Sequence, residues 1–407
     1  MDARHRRILG AASVFHAFND ASVVALPTIF PILYSGGVII RRYADIGTMI
    51  LIGLTVSFVL QFVIGHCAKG RHYRVLLALD NVIIGTFLLL TPLVHSYFVF
   101  VLLFMGVRVG ASIYHPVGIA WISHTFRGRS LDRAMGMQSA FGDVGVLAAF
   151  LATGYMAQRF GWMVPLLVWG TLNLAAAVTG LAVSKGTMPP GARREDEEPV
   201  CWSETVRDQR LLIVPTLLGG IAWGVMLAYA PSLLNHKFGA PMSITGVILG
   251  GWIGAGVVIS LLYGKIAERT GRYGSIVIGS VLTAVATCLI GFSGSFAATA
   301  ALMIFSGMSL FITFPAVLTL VGISAQSKNR TAAFSMVSNL QIIGNATFTF
   351  IAGFMSDAWG INTPFFLLGA ASFAIAIYVV AVRKRVAALE ERAPAEVPAE
   401  IPSEIVT

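Results

Sequence analysis

Residues 134–170 read AMGMQSAFGDVGVLAAFLATGYMAQRFGWMVPLLVWG, and residues 333–369 read AFSMVSNLQIIGNATFTFIAGFMSDAWGINTPFFLLG. At a shift of 199 they agree without a gap at Ala134, Met137, Ser139, Gly145, Gly154, Met156, Gly161, Pro165 and Gly170. Their mates are Ala333, Met336, Ser338, Gly344, Gly353, Met355, Gly360, Pro364 and Gly369. The same shift sets Gly47 on Gly246, Gly65 on Gly264, Ala68 on Ala267 and Pro116 on Pro315. One offset held over five apolar segments marks a chain built as two copies of one unit.

Each copy carries apolar runs long enough to cross about 30 Å of hydrocarbon, which takes about 20 residues of helix. Twelve such spans are read along the 407 residues: 8–34, 46–66, 75–94, 97–123, 134–158, 161–184, 209–234, 244–264, 275–293, 297–324, 332–356 and 361–383. They are numbered 1 to 12 here. Lipid offers no partner to exposed backbone groups, so continuous apolar runs must be helices. A closed barrel would instead need alternating segments of about 10 residues. The predicted fold is therefore an all-α membrane protein, with twelve transmembrane helices in two parallel six-helix repeats. The composition agrees: 56% of residues are hydrophobic and 12% charged, against about 25% charged in soluble domains. The 42 glycines suit close helix packing in a bilayer. The start at Met1 is read as a retained first helix, because no small-residue cleavage site closes a short apolar run.

Basic residues orient the spans. Of the 28 Lys and Arg, 23 fall on the side holding both termini and the 185–208 stretch; Arg41, Arg42, Arg159 and Lys237 fall on the other, and Arg108 lies inside span 4. Both termini are expected in the cytoplasm, with the chain in the cell (inner) membrane. The net charge of +9 is then topological bias and calls for no nucleic acid. Residues 185–208 hold the polar run Arg193-Arg194-Glu195-Asp196-Glu197-Glu198 and read as a cytoplasmic linker. This divides the chain into a bundle at 1–184, the linker, a second bundle at 209–385 and a disordered tail at 386–407. Cys67, Cys201 and Cys288 have no CxxC spacing, so neither a disulfide framework nor a metal site is expected. No cofactor is expected either, and the chain is expected to act as a monomer.

Two parallel six-helix halves resemble the major facilitator transporters, whose substrate binds near the midplane between halves. Gly264-Lys-Ile-Ala-Glu268-Arg269-Thr-Gly271-Arg272 is similar to that superfamily's cytoplasmic signature, and Gly65-His-Cys-Ala-Lys69-Gly-Arg71-His-Tyr-Arg74 is a drifted copy with Lys69 in place of the acid. The resemblance implies a gating role for Gly65, Arg71, Arg74, Gly264, Glu268, Arg269 and Arg272. More narrowly, His16-Ala-Phe-Asn19-Asp20, Tyr114-His115-Pro116 and Gln138-Ser139-Ala-Phe141 resemble the fosmidomycin-resistance-like branch. That branch implies proton-driven drug efflux. The sequence departs from it where Ala152-Thr153 replaces the branch's Gly-Pro.

A charge at the centre of a span costs about 2.5–3.5 kcal/mol on insertion scales, so it points to function. Asp20, Arg108 and Asp143 stand there, while Asp80 lies nearer a helix end, within expected reach of the interface or of loop arginines. His16 and Asp20 share a helix face; with Asp143 they are the candidates for proton coupling. Arg108, Ser112 and His115 fall at helical spacing on one face of span 4. Arg108 is suited to a carboxylate or phosphate, and equally to neutralisation by Asp143 or Asp20. Substrate contacts are expected from Asn19, Arg108, Ser112, His115, Gln138 and Phe141. The second half would add Trp223, Tyr229, Phe311, Phe314, Asn339, Gln341 and Asn345. Charge in one half and aromatic groups in the other suggest a small amphiphilic substrate. There is no phosphate-binding G-x-x-x-x-G-K-[ST] and no His-Glu-x-x-His, so no enzyme is expected. The chain reads as a secondary active transporter, moving its substrate by proton-coupled export. Proton-coupled uptake of a small organic anion and a non-transporting receptor of the same fold are the alternatives.

Overall fold

The computed structural model describes residues 3–37, 39–68, 72–126, 129–187, 202–325 and 330–390. Lys69, Arg71, most of the linker (188–201) and the tail from 391 lie outside them. The described residues form helices and contain no strand.

Ten helices are long and apolar enough to cross a membrane. Two features reconcile this with twelve spans. Met242–Phe292 runs for 51 residues, about 76 Å at 1.5 Å per residue, more than twice the hydrocarbon thickness. It breaks at Gly271, where φ is 68° and ψ 167°, a conformation open to glycine and costly for other residues. Spans 8 and 9 are the two sides of that break. Span 11 is the 30-residue helix Arg330–Trp359, which falls outside the ten because its polar residues dilute its apolarity.

Prolines interrupt two further spans. Span 1 is Ala3–Thr28 followed by Phe30–Ser35, with Pro31 opening the second piece. Span 4 is Tyr97–Ala111 followed by Tyr114–Thr125, broken ahead of Pro116. The predicted stripe Arg108, Ser112, His115 therefore does not lie on one unbroken helix. The end of the linker is itself helical, Trp202–Gln209, and Arg383–Glu390 follows span 12.

The repeat is visible in the backbone. Spans 5 and 11 end at the mates Gly161 and Gly360, with φ of 91° and 90°. In each the amide N–H bonds back to a carbonyl four residues earlier, Ala157 and Ser356. Span 5 (Arg129–Phe160) packs on span 1 within its half and on span 8 of the other half; span 11 packs on span 7 and on span 2. Below, the end of the molecule near Arg41 and Lys237 is the far face, and the opposite end is the linker face.

Candidate functional site: a charged cluster in the first half

Span 1 places His16 and Asp20 one turn apart, facing span 5. Gly142 makes room for them: a Cβ there would lie 2.7 Å from His16 Cε1 and 2.9 Å from Asp20 Oδ2. His16 donates from Nδ1 to the carbonyl of Gln138 at 2.8 Å. That leaves Nε2, 3.1 Å from Asp20 Oδ2, as the nitrogen whose proton the carboxylate can share. Asn19 donates to Asp20 Oδ1 at 2.8 Å. The imidazole stacks on Tyr114, with centroids 4.2 Å apart. The Tyr114 hydroxyl lies 3.0 Å from Ala12 O and 2.8 Å from Gln138 Oε1, and its one proton serves both acceptors. Nitrogens of His16 and His115 and an oxygen of Asp20 all lie within 4.8 Å of one another.

His115 is thus grouped with His16 and Asp20, while Arg108 and Asp143 stand on spans 4 and 5 of the same half. Arg108 forms an ion pair with neither Asp143 nor Asp20 among the described residues. Arg108 turns toward span 2, where Nε donates to Ser57 Oγ at 3.0 Å and Gly53 leaves room for its stem. Asp143 stands on span 5 next to Gly142, the residue that faces His16 and Asp20. Beyond the Ser57 bond, Arg108 has no hydrogen-bonded or ion-paired partner for its guanidinium among the described residues, and its terminal nitrogens are not sealed from solvent. Asp80 does not reach the interface or an arginine. It is fully buried, its contact is Asn81 Nδ2 at 3.4 Å, and its Oδ1 has no partner.

Other expected site residues are placed as follows. Ser112 is buried and bonds Val109 O within its own helix. Phe141 is 41% exposed. Trp223 stands edge-on to Trp252 of span 8. Tyr229 is buried and donates to Thr349 O at 2.6 Å, which makes it a strut between spans 7 and 11. Asn345 Oδ1 accepts from Thr349. Phe311 packs on Gly256 of span 8. Phe314 lines a small cleft between spans 7 and 10 with Thr216, Gly219 and Thr313. Asn339 and Gln341 are half-buried on span 11.

Sequence reasoning missed how the repeat exchanges side chains here. Asp20 rests over Gly142 in the first half. Their mates are Gly219 and Gln341, and there Gln341 Nε2 rests over Gly219, 2.7 Å from where its Cβ would be. The side chain has moved from the first span of the unit to the fifth, and from acid to amide. The acid of this pairing is thus confined to one half. Gly142, Ser57 and Tyr114 also belong to the site; the signal available for Gly142 was its place opposite Asp20 in the repeat.

The signature loops sit at the linker face. Gly65 lies in the last turns of span 2, Tyr43–Cys67. Arg74 bonds Leu181 O and Ser184 Oγ, and Arg7 bonds Val183 O and Lys185 O. Both arginines thus satisfy carbonyls at the end of span 6 in their own half, a favourable place for cations. A Cβ on Gly264 would meet open space. Glu268 and Arg269 are exposed, Arg272 is half-buried, and none of the three forms an ion pair among the described residues. Hydrogen bonds between the halves gather at the far face instead. Tyr43 OH donates to His236 Nδ1 at 2.9 Å, and His236 Nε2 donates to Pro31 O at 3.2 Å.

An all-helical membrane bundle of two like halves, with buried polar and charged side chains within the first, fits a solute transporter. The sequence pattern of the Major Facilitator Superfamily matches residues 9–325 and again 216–405; the chain belongs to that superfamily and is a membrane transporter, not an enzyme. A probable L-galactonate transporter of Escherichia coli (strain K12) is 23% identical over 343 residues, 77% of this chain and 75% of that protein. A bacterial homolog of the human lysosomal transporter Spinster, in an inward-facing and unoccupied conformation, superposes with a TM-score of 0.77 at 13% identity, covering 96% of this chain and 98% of that one. The nucleoside transporter NupG gives 0.71 at 12% identity, covering 94% of this chain and 100% of that one.

Proposed function

We propose that the protein carries a small amphiphilic organic anion across the membrane together with protons, by alternating access between its halves. The observation that carries this reading is Arg108. A guanidinium inside a span has a high desolvation cost, yet its planar fork is left without a carboxylate although Asp20 and Asp143 stand in the same half. That fork suits a carboxylate or phosphate bound through two parallel hydrogen bonds. The half-buried Trp223 and Phe314 offer apolar surface to the rest of the substrate, and Asn339 and Gln341 offer polar contacts.

Coupling follows from the charges. An anion bound near two carboxylates is favoured when one of them is protonated, and by linkage the bound anion favours that protonation equally. Substrate and proton then travel together, with Asp20, His16 and Asp143 as the groups that hold the proton. The far face is taken as the exterior, with both termini in the cytoplasm. The E. coli relative's name, a transporter of a sugar acid, is in keeping with an anionic substrate. Proteoliposomes preloaded with an aldonic acid should show counterflow, and an acid-outside gradient should drive accumulation. Accumulation unchanged in Arg108→Ala would remove the anion from the reading.

Export in exchange for protons is the second reading. It is favoured by the likeness of His16-Ala-Phe-Asn19-Asp20 and Tyr114-His115-Pro116 to the fosmidomycin-resistance-like branch. The two readings predict opposite directions of movement under the same pH gradient.

A further inference from the structure

The 199-residue repeat reappears at the far face as two copies of one contact between the halves. Span 2 starts at Tyr43 and span 8 at Met242, and these are mates. Every helix start leaves backbone N–H groups without an intrahelical partner. Here a side chain from the opposite half supplies an acceptor. Asp357 of span 11 accepts from Tyr43 N at 2.8 Å and from Ala44 N at 3.0 Å. Gln158 of span 5 accepts from Ser243 N at 2.9 Å. Gln158 is the mate of Asp357, and Ser243 the mate of Ala44.

The four glycines that let these helices touch are also mates. Gly47 lies against Thr349 O and Gly246 against Phe150 O; Gly353 lies against Tyr43 O and Gly154 against Met242 O. A Cβ at any of them would run into backbone, which cannot give way as a side chain can. The two crossings, span 2 on span 11 and span 5 on span 8, therefore bring backbone to backbone, each closed by one acceptor donated across the halves. One difference separates the copies. Asp357 offers a carboxylate, which gains from the helix dipole and from charge-assisted bonds, and Gln158 offers a neutral amide.

We propose that Asp357 and Gln158 are paired latches between the halves at the far face, and that the charged latch, Asp357, sets how often that face opens. Both caps are donated in trans, so separating the halves there strips both helix starts of them. Closing restores both. This inference does not depend on what the substrate is.

The test uses a reporter behind the latch. Ile50 lies one turn deeper than Gly47 on the same face of span 2 and is 7% exposed. Ile50→Cys, with Cys67, Cys201 and Cys288 replaced by Ser, is reacted from the far face with a membrane-impermeant maleimide in the full chain. Asp357→Ala should raise the labelling rate by about fivefold or more, and Asp357→Asn by less. Gln158→Glu places a second carboxylate where the amide stood and should lower the rate. An unchanged rate in a monodisperse Asp357→Ala protein overturns the proposal. So does a rate in Gln158→Glu that fails to fall, and that variant decides the matter if Asp357→Ala does not fold.

Discussion

His16 and Asp20 meet at 3.1 Å through Nε2 and Oδ2 because His16 has given its other ring nitrogen to the carbonyl of Gln138. The donor role of Nδ1 fixes the ring's orientation, and stacking on Tyr114 holds its plane. A proton shared between these two side chains has a defined seat, against Gly142 of span 5.

Asp20→Asn should therefore separate coupling from binding. The amide keeps the size and one acceptor of the carboxylate but cannot exchange a proton. Accumulation driven by a pH gradient should be lost, while exchange of labelled for unlabelled substrate continues. Gradient-driven accumulation at the normal rate in the variant would remove Asp20 from the proton path.

Tyr114 ties three spans together through one hydroxyl, which reaches Ala12 O of span 1 and Gln138 Oε1 of span 5. Tyr114→Phe keeps the ring under His16 and removes only that link. Leaving buried acceptors unpaired costs about 1–3 kcal/mol. The melting temperature in detergent should fall by a few degrees, and transport should weaken because His16 is less firmly held. An unchanged melting temperature would mean that water replaces the hydroxyl.

Much of the fold was legible because lipid leaves few choices: long apolar runs must be helices, and the 199-residue repeat sets their pairing. The break at Gly271 matched the predicted loop between spans 8 and 9. The site was legible residue by residue but not in its pairings. Asp20 and His16 fall together by helical spacing alone, whereas Arg108 and Asp143 sit on different helices. Their relation depends on how each helix is rotated about its axis. Two opposite charges that both depart from the branch's pattern favoured a compensating pair, while Gly53 and Ser57 opened a place for Arg108 on span 2 that apolar patterning does not disclose. The interruption at Ser112 and Ile113 likewise broke a stripe that ideal helical spacing had joined.

Topology can be checked without a substrate. Thiols introduced beside Arg41 and Lys237 should react with an impermeant reagent applied outside intact cells. A thiol beside Arg194 should react only after the membrane is opened. Labelling beside Arg194 from outside would invert the assignment of the far face as exterior, and with it the direction given to the gradient.

The last prediction separates a substrate-binding arginine from a structural one. If Arg108 and Asp143 balanced each other, removing either would leave a buried charge, and removing both would restore stability and transport. The structure has Arg108 on Ser57 and Asp143 apart from it, so no such rescue is expected. Arg108→Ala should fold, since no buried carboxylate loses its partner, and it should lose transport. The double variant Arg108→Ala with Asp143→Ala should fold and remain inactive. Arg108→Lys should also fail, because an ammonium lacks the planar fork. Ser57→Ala should retain transport with a raised KM and little change in kcat, as it frees Arg108 without removing it. These four are read together in one proteoliposome assay, with melting temperatures recorded beside the rates. Full transport in the double variant would take Arg108 out of the binding site and turn the search to neutral or cationic amphiphiles held by Asp20, Trp223 and Phe314.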